Sequence, residues 1–268
     1  TGTDPGTLPE LDVEIAGLTL NDADLGTLRL HARRSGSGLE VDEFGLHDGQ
    51  LELTSSAIWQ RGEQGIHSEW RGDVDTAALG DLLVDLGYSR QIEDAAAQIA
   101  FRLRWPGSPA QLHRATLEGA LELDIGAGRL VELDPGVTRV VGLLNLNALT
   151  RRLRLDFSDF YKKGYSFDSI KGAFHFANGT AQTDDLTVRG PTGHIEVNGS
   201  ADLLAETLDQ KVTVIPNLDA TLPIAGTIAG GPVAGVAVLV AQRLMTKQVD
   251  QIYRFEYALS GPWAQPEV

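Results

Sequence analysis

The sequence predicts a mainly β protein with a few helices. Two observations carry this. Apolar and polar residues alternate in short runs, which places each run's apolar residues on one face of a strand. Gly, Asn, Asp and Pro clusters punctuate the runs roughly every ten residues, the rhythm of a β architecture. The clearest stretch is four strands in a row: Gly172–Ala177, Asp185–Arg189, His194–Leu203 and Thr207–Ile215. Phe174 and Phe176 flank His175, Leu186 and Val188 flank Thr187, Ile195 and Val197 flank Glu196, and Val212 and Val214 flank Thr213. Asn178-Gly179, Gly190-Pro191-Thr192-Gly193 and a link at Ala205-Glu206 join them as turns. An antiparallel meander with one apolar face follows.

The chain upstream continues in this style. Leu11–Leu20, Leu25–Ala32, Gly38–Leu46, Gln50–Trp59 and Gly65–Gly72 read as strands. Asp75–Tyr88 breaks the rhythm: Leu79, Leu82, Leu83 and Leu86 recur at helical spacing, with Asp75 as N-cap. Glu93–Trp105 returns to strand, with Ile99, Phe101, Leu103 and Trp105 on one face. Ala115–Ile125 sets Leu117, Gly119, Leu121, Leu123 and Ile125 against Glu118, Glu122 and Asp124. Arg129–Leu133 returns as a strand. Asp134-Pro135 then reads as the start of a helix over 135–148. Leu153, Leu155 and Phe157 form another strand, and Ser158–Ser166 a loop.

Ala220–Gln242 carries no charge. As one helix it could cross a hydrocarbon core of about 30 Å. Gly230-Gly231-Pro232 argues for two helices instead, within 222–251. Tyr253–Leu259 is a final strand with Tyr253, Phe255, Tyr257 and Leu259 on one face.

Composition narrows the function classes. The chain has 268 residues and a formal net charge of −15, which argues against a phosphate-backbone partner and against attraction to anionic lipid by charge. With no cysteine, disulfides and thiolate metal sites are excluded. The start of the sequence, Thr1-Gly2-Thr3-Asp4-Pro5-Gly6, reads as a cut inside a longer protein. No nucleotide-binding, hydrolase or metalloprotease motif occurs. The six histidines are dispersed, and no cofactor or metal is expected. His194, Ser200 and Asp202 share one strand, whose stiff projection denies them a triad. Asp22 and Asp24 lack the glutamate of a calcium loop, and Asp184-Asp185 reads as a turn.

A one-sided sheet must cover its apolar face. Two solutions remain from the pattern: a sheet folded on itself as a sandwich or barrel, which pattern alone favours, or a trough for an apolar ligand. The face candidates are Leu121, Leu123, Phe174, Phe176, Ile195, Val197, Val212, Val214, Phe255 and Tyr257. Glu122, His175, Glu196 and Thr213 form the opposite, solvated face.

Eight motifs then bring a resemblance: Trp105–Pro109 (WPGSP), Leu133–Gly136 (LDPG), Gly142–Leu149 (GLLNLNAL), Leu155–Asp159 (LDFSD), Lys163–Asp168 (KGYSFD), Ala205–Asp209 (AETLD), Ala229–Gly235 (AGGPVAG) and Gly261–Trp263 (GPW). In this order, over Arg71–Val268, the chain resembles the C-terminal region of an AsmA-like protein, a family to which TamB is related. The resemblance implies an elongated antiparallel sheet curled into a hydrophobic groove, with helices near its C-terminal end. It implies residues 1–72 as strand repeats continuing an upstream groove, and 73–268 as a C-terminal groove domain. It further implies an inner-membrane anchor elsewhere in the protein, a periplasmic span, and phospholipid moved to the outer membrane without catalysis. Leu222, Ile224, Ile228, Val233, Val236, Val238, Leu239 and Val240 would cap the groove or contact the inner leaflet of the outer membrane. The competing expectation is a β-sandwich that docks a periplasmic or outer-membrane protein through its edge strands.

Overall fold

A computed structural model describes residues 5–20, 23–36, 38–63, 65–88, 90–131, 165–217, 254–264 and 266–267. The expected helices at 135–148 and 222–251, and the groove-cap candidates Leu222 to Val240, lie outside the described residues. The strands are β1 (Leu11–Ile15), β2 (Thr19–Leu20), β3 (Ala23–Asp24), β4 (Thr27–Ser35), β5 (Gly38–His47), β6 (Leu51–Gly62), β7 (Gly65–Thr76), β8 (Ile92–Glu93) and β9 (Ala97–Pro106). They continue as β10 (Glu118–Ile125), β11 (Gly128–Leu130), β12 (Tyr165–Phe167), β13 (Ser169–Ala177), β14 (Thr180–Gly190), β15 (Gly193–Asp202), β16 (Thr207–Pro216) and β17 (Phe255–Pro262). Among the described residues one α-helix, α1 (Leu79–Asp85), stands between β7 and β8.

Twelve strands make one antiparallel sheet in the order β1-β4-β5-β6-β7-β9-β10-β13-β14-β15-β16-β17. The order follows the chain once the short strands are set aside, so each strand pairs with the next long one it meets. The sheet curls but does not close into a barrel. This replaces the sandwich that pattern alone favoured. At about 4.8 Å between strands, twelve of them span roughly 50 Å.

Turn chemistry sets the register. Asn178 (φ 52°) and Gly179 (φ 74°) form the two-residue loop between β13 and β14, closing on the Ala177–Thr180 pair. Positive φ at both positions is what an Asn-Gly hairpin supplies cheaply. Asp48 accepts from the Gln50 and Leu51 N–H groups at 2.8 and 2.6 Å and closes the β5–β6 turn. Asp24 accepts from the Gly26 N–H at 2.9 Å, a turn contact of its own.

Several elements differ from the sequence reading. Asp75 is not an N-cap: it sits in β7, paired with Glu52 and Gln98. The chain turns at Thr76, whose Oγ1 accepts from the Ala78 N–H at 3.2 Å, and α1 starts only at Leu79. Asp94 (φ 57°) divides the expected Glu93–Trp105 strand into β8 and β9. Tyr165–Phe167 is a strand where a loop was expected; it pairs with β11, which pairs with β8. Asp184-Asp185 is not a turn but a bulge inside β14, between the Thr183–Gly199 and Leu186–Val197 pairs.

Candidate functional site

Register, more than any pocket, defines the candidate site. Across the sheet, pairs of like parity share a face. One row reads Leu11, Ala32, Val41, Ala57, Trp70, Leu103, Gly119, Phe176, Ala181, Ala201 and Leu208. Another runs Leu28, Leu46, Leu53, Val74, Ile99, Leu123, Gly172 and, beyond the β14 bulge, Leu186, Val197, Val212 and Tyr257. All ten predicted face residues lie on this one side, so the apolar surface runs from edge to edge of the sheet.

Their burial divides them. Ile195, Val212 and Val214 are 5%, 2% and 0% exposed. Leu121, Leu123, Phe174, Phe176, Val197, Phe255 and Tyr257 are half-buried. The difference has a structural cause. Leu79 and Leu83 of α1, with Ile92, Leu130, Tyr165 and Phe167 of the small β8-β11-β12 sheet, pack over one margin of the face. There they form a core with Ala97, Ile125, Ile170, Val188, Ile195 and Val214. Gly190 makes room for this cover, since a Cβ on it would sit 2.6 Å from the Tyr165 hydroxyl. Burial pushes the Tyr165 phenol above its ordinary pKa, with Thr192 opposing part of the shift.

Pattern reading left the upstream aromatics out of the face candidates, although it set Phe101 on one face of its strand. Phe44 and Trp70 meet edge to face at 6.0 Å, and Trp70 and Phe101 at 4.9 Å. Pairing places all three on the apolar side, and alternation around Trp70 was the available signal. Gly72 sits among them opposite Ser55; a Cβ there would lie 2.4 Å from the Ser55 Cβ. Such a close approach marks a tight bend in a sheet.

The other face is polar. Lys171 pairs with Asp124 at 2.5 Å, Lys211 with Glu256 at 2.9 Å and Arg254 with Glu196 at 2.6 Å. Arg33 bridges Glu40 and Asp42. Hydrogen bonding to Asp42 raises the Arg33 pKa, and the Lys211 hydrogen bond lowers that of Glu256. Exposed pairs of this kind add little to stability, so they keep the face wet more than they hold the sheet. Open clefts of about 460 Å³ beside Arg71, Arg102 and Arg104, and about 680 Å³ beside Asp75, Glu122 and Lys171, lie here. Glu122 and His175 are exposed as expected and Glu196 is half-buried. Thr213 is a correction: it is 1% exposed, and Ile215 on the same face is 7% exposed. The end of β16 is therefore buried on both sides.

Among the described residues no group of His, Asp and Glu could hold a metal ion. His194 lies 3.7 Å from Glu196, while Asp202 is occupied at the far end of β15, accepting from the Leu204 and Ala205 N–H groups at 2.9 and 2.8 Å. No described helix is long and apolar enough to cross a membrane.

The model of the family described as YhdP protein matches residues 1–268. The chain belongs to the YhdP family. The AsmA-like resemblance of its motifs agrees with this. The chain is also similar to the intermembrane phospholipid transporter YhdP of Escherichia coli (strain K12), 27% identical over 235 residues. That match covers 87% of this chain and 19% of the relative, so the chain spans about a fifth of its length. No solved structure matches.

Proposed function

We propose that this chain is the distal segment of a periplasmic bridge that conducts phospholipid between inner and outer membrane. The apolar face that runs unbroken across twelve strands carries this reading. A buried methylene is worth about 0.8 kcal/mol, so an acyl chain leaving a bilayer faces a cost on the order of 10 kcal/mol. A continuous trough removes most of that cost and leaves the headgroup in water. The half-buried residues, Leu121, Leu123, Phe174, Phe176, Val197, Phe255 and Tyr257, touch the lipid. Ile195, Val212 and Val214 hold the wall beneath the α1 cover. Shallow apolar contacts repeated along a row suit sliding, because no single site traps the chain. The segment works without catalysis, at the outer-membrane end of an inner-membrane-anchored protein. Residues 1–72 continue a groove that begins upstream, and 73–268 form its terminal domain. The uncharged 220–242 stretch caps the groove or meets the inner leaflet of the outer membrane.

The test is purification without detergent, followed by lipid extraction and mass spectrometry, beside a Phe174→Asp variant whose fold is checked by circular dichroism. Phospholipid in the native protein and its loss from the folded variant support the trough. A lipid-free native protein that stays soluble turns the assignment toward a docking module, with β1 and β17 as the sheet edges a partner strand would join.

A further inference from the structure

Several polar groups on the apolar face are occupied by hydrogen bonds within the protein. Ser55 Oγ donates to the Phe44 carbonyl at 2.7 Å and Ser68 Oγ to the Gly107 carbonyl at 2.9 Å. Thr76 Oγ1 accepts from Ala78, and Thr183 Oγ1 donates to Asp185 Oδ1 at 3.5 Å. Others are not: Trp59 Nε1 on the same side is buried without a partner and closed to a ligand, whereas Gln210 keeps access to solvent. Gln210 lies on the apolar side of β16 between Leu208 and Val212, opposite Gly199 on β15 and Leu259 on β17. It is half-buried, and its amide makes no hydrogen bond to the described residues. Gly199 opposes it with no side chain, so nothing on β15 competes for that space.

We propose that the Gln210 amide binds the glycerol-ester carbonyls of a phospholipid whose acyl chains lie in the trough. This rests on the function proposed above. The ester carbonyls are the acceptors that lose water first when acyl chains enter an apolar groove, and an unsatisfied acceptor there is costly. An amide N–H replaces the lost water. The charge distribution selects the ester over the phosphate. Lys211, the neighbouring cation, sits on the opposite face and is held by Glu256 at 2.9 Å. Arg254 is likewise engaged by Glu196. A neutral donor among Leu208, Val212 and Leu259 fits a neutral acceptor.

The experiment loads the detergent-free protein with an equimolar mixture of a diacyl phosphatidylethanolamine and its diether analogue of equal chain length, which lacks the carbonyls. Native mass spectrometry reads the ratio bound. The wild type favours the diester about 2- to 10-fold, the range of one net hydrogen bond. Gln210→Leu, close in size, brings the ratio to about one while total lipid is retained; Gln210→Ala does the same if leucine perturbs packing. Equal binding of the two lipids by the wild type overturns the inference and leaves the trough standing. A diester preference that survives both substitutions does so too. Failure of the wild type to hold either lipid overturns the trough and this inference together.

Discussion

Val214 and Phe174 lie on the same face of one sheet but are expected to fail in different ways. Val214 is 0% exposed, between Ile195 on β15 and Phe255 on β17. Val214→Ala deletes two methyl groups from a closed site. Transfer alone costs about 0.8 kcal/mol for each. A residual cavity of roughly 50 Å³ adds about 1 kcal/mol at 24 cal/mol per Å³. The total is about 2–3 kcal/mol of stability, read as a lower urea midpoint at unchanged slope. Phe174 is half-buried, facing Leu121 across the β10–β13 pair and lying outside the core under α1. Phe174→Ala opens no closed cavity, so it costs less, about 1 kcal/mol. It does remove aromatic surface from the proposed lipid path. At about 25 cal/mol per Å², losing roughly 50 Å² of contact lowers occupancy on the order of tenfold. The assay pairs urea unfolding with phospholipid retained per folded molecule. Val214→Ala is expected to weaken the fold and keep the lipid; Phe174→Ala, the reverse. Equal destabilisation by both, with no difference in lipid, would refute the division of this face into wall and path.

Three further outcomes are expected. Gly119→Ala loses at least about 2 kcal/mol in urea unfolding, because its φ is 131° and a Cβ would meet the Arg102 carbonyl oxygen at 2.0 Å. Tyr165 has a raised pKa from burial, so its stabilising contribution is full below the ordinary tyrosine value of about 10 and falls as pH climbs toward the raised one. Tyr165→Phe removes that alkaline loss, seen by comparing urea midpoints at pH 8 and pH 11. Asp202 has a lowered pKa because the Ala205 and Leu204 N–H groups bond its carboxylate. Its contribution is present above about pH 4 and disappears as pH falls through the lowered value, so Asp202→Ala has a flatter acid-unfolding profile than the wild type.

Much of this architecture was legible because period two needs only parity. Once Phe174, Ile195, Val212 and Phe255 alternate with polar residues, their common face follows wherever the hairpins pair them. Asn178-Gly179 fixed one of those hairpins by chemistry a sequence displays openly. Legibility failed where strands are too short to show a period. β8, β11 and β12 have two or three residues each, so the cover they make over Ile125 and Val188 had no visible pattern. The burial of Thr213 failed for another reason: alternation assigns a face, not what lies against it. The helix start failed because Asp75 is both a good N-cap and a tolerable strand residue, and its pairing with Glu52 and Gln98 decided the matter.

The bulges show what the sheet conserves as it curls. In β5 the pairing slips between Val41 and Phe44, and in β14 between Thr183 and Leu186. Each slip inserts one residue at an acidic pair, Asp42-Glu43 and Asp184-Asp185. Without the insertion, Phe44 and Leu46 would turn to the side of Arg29, and Leu186 and Val188 to the side of Lys171. With it, the apolar rows pass through both strands unbroken. The cost is a disrupted ladder, and the acidic residues offset part of it: Asp185 Oδ1 accepts from the Ala173 N–H at 2.8 Å, and Asp42 binds Arg33 at 2.8 Å. A local core would tolerate a row that changes face, because burial is needed only where the cover sits. In β5 the corrected rows lie apart from the core under α1, around half-buried Phe44 and Leu46. Under the function proposed above, a lipid chain moving along the sheet needs those rows to stay on one side from strand to strand, and the bulges keep them there.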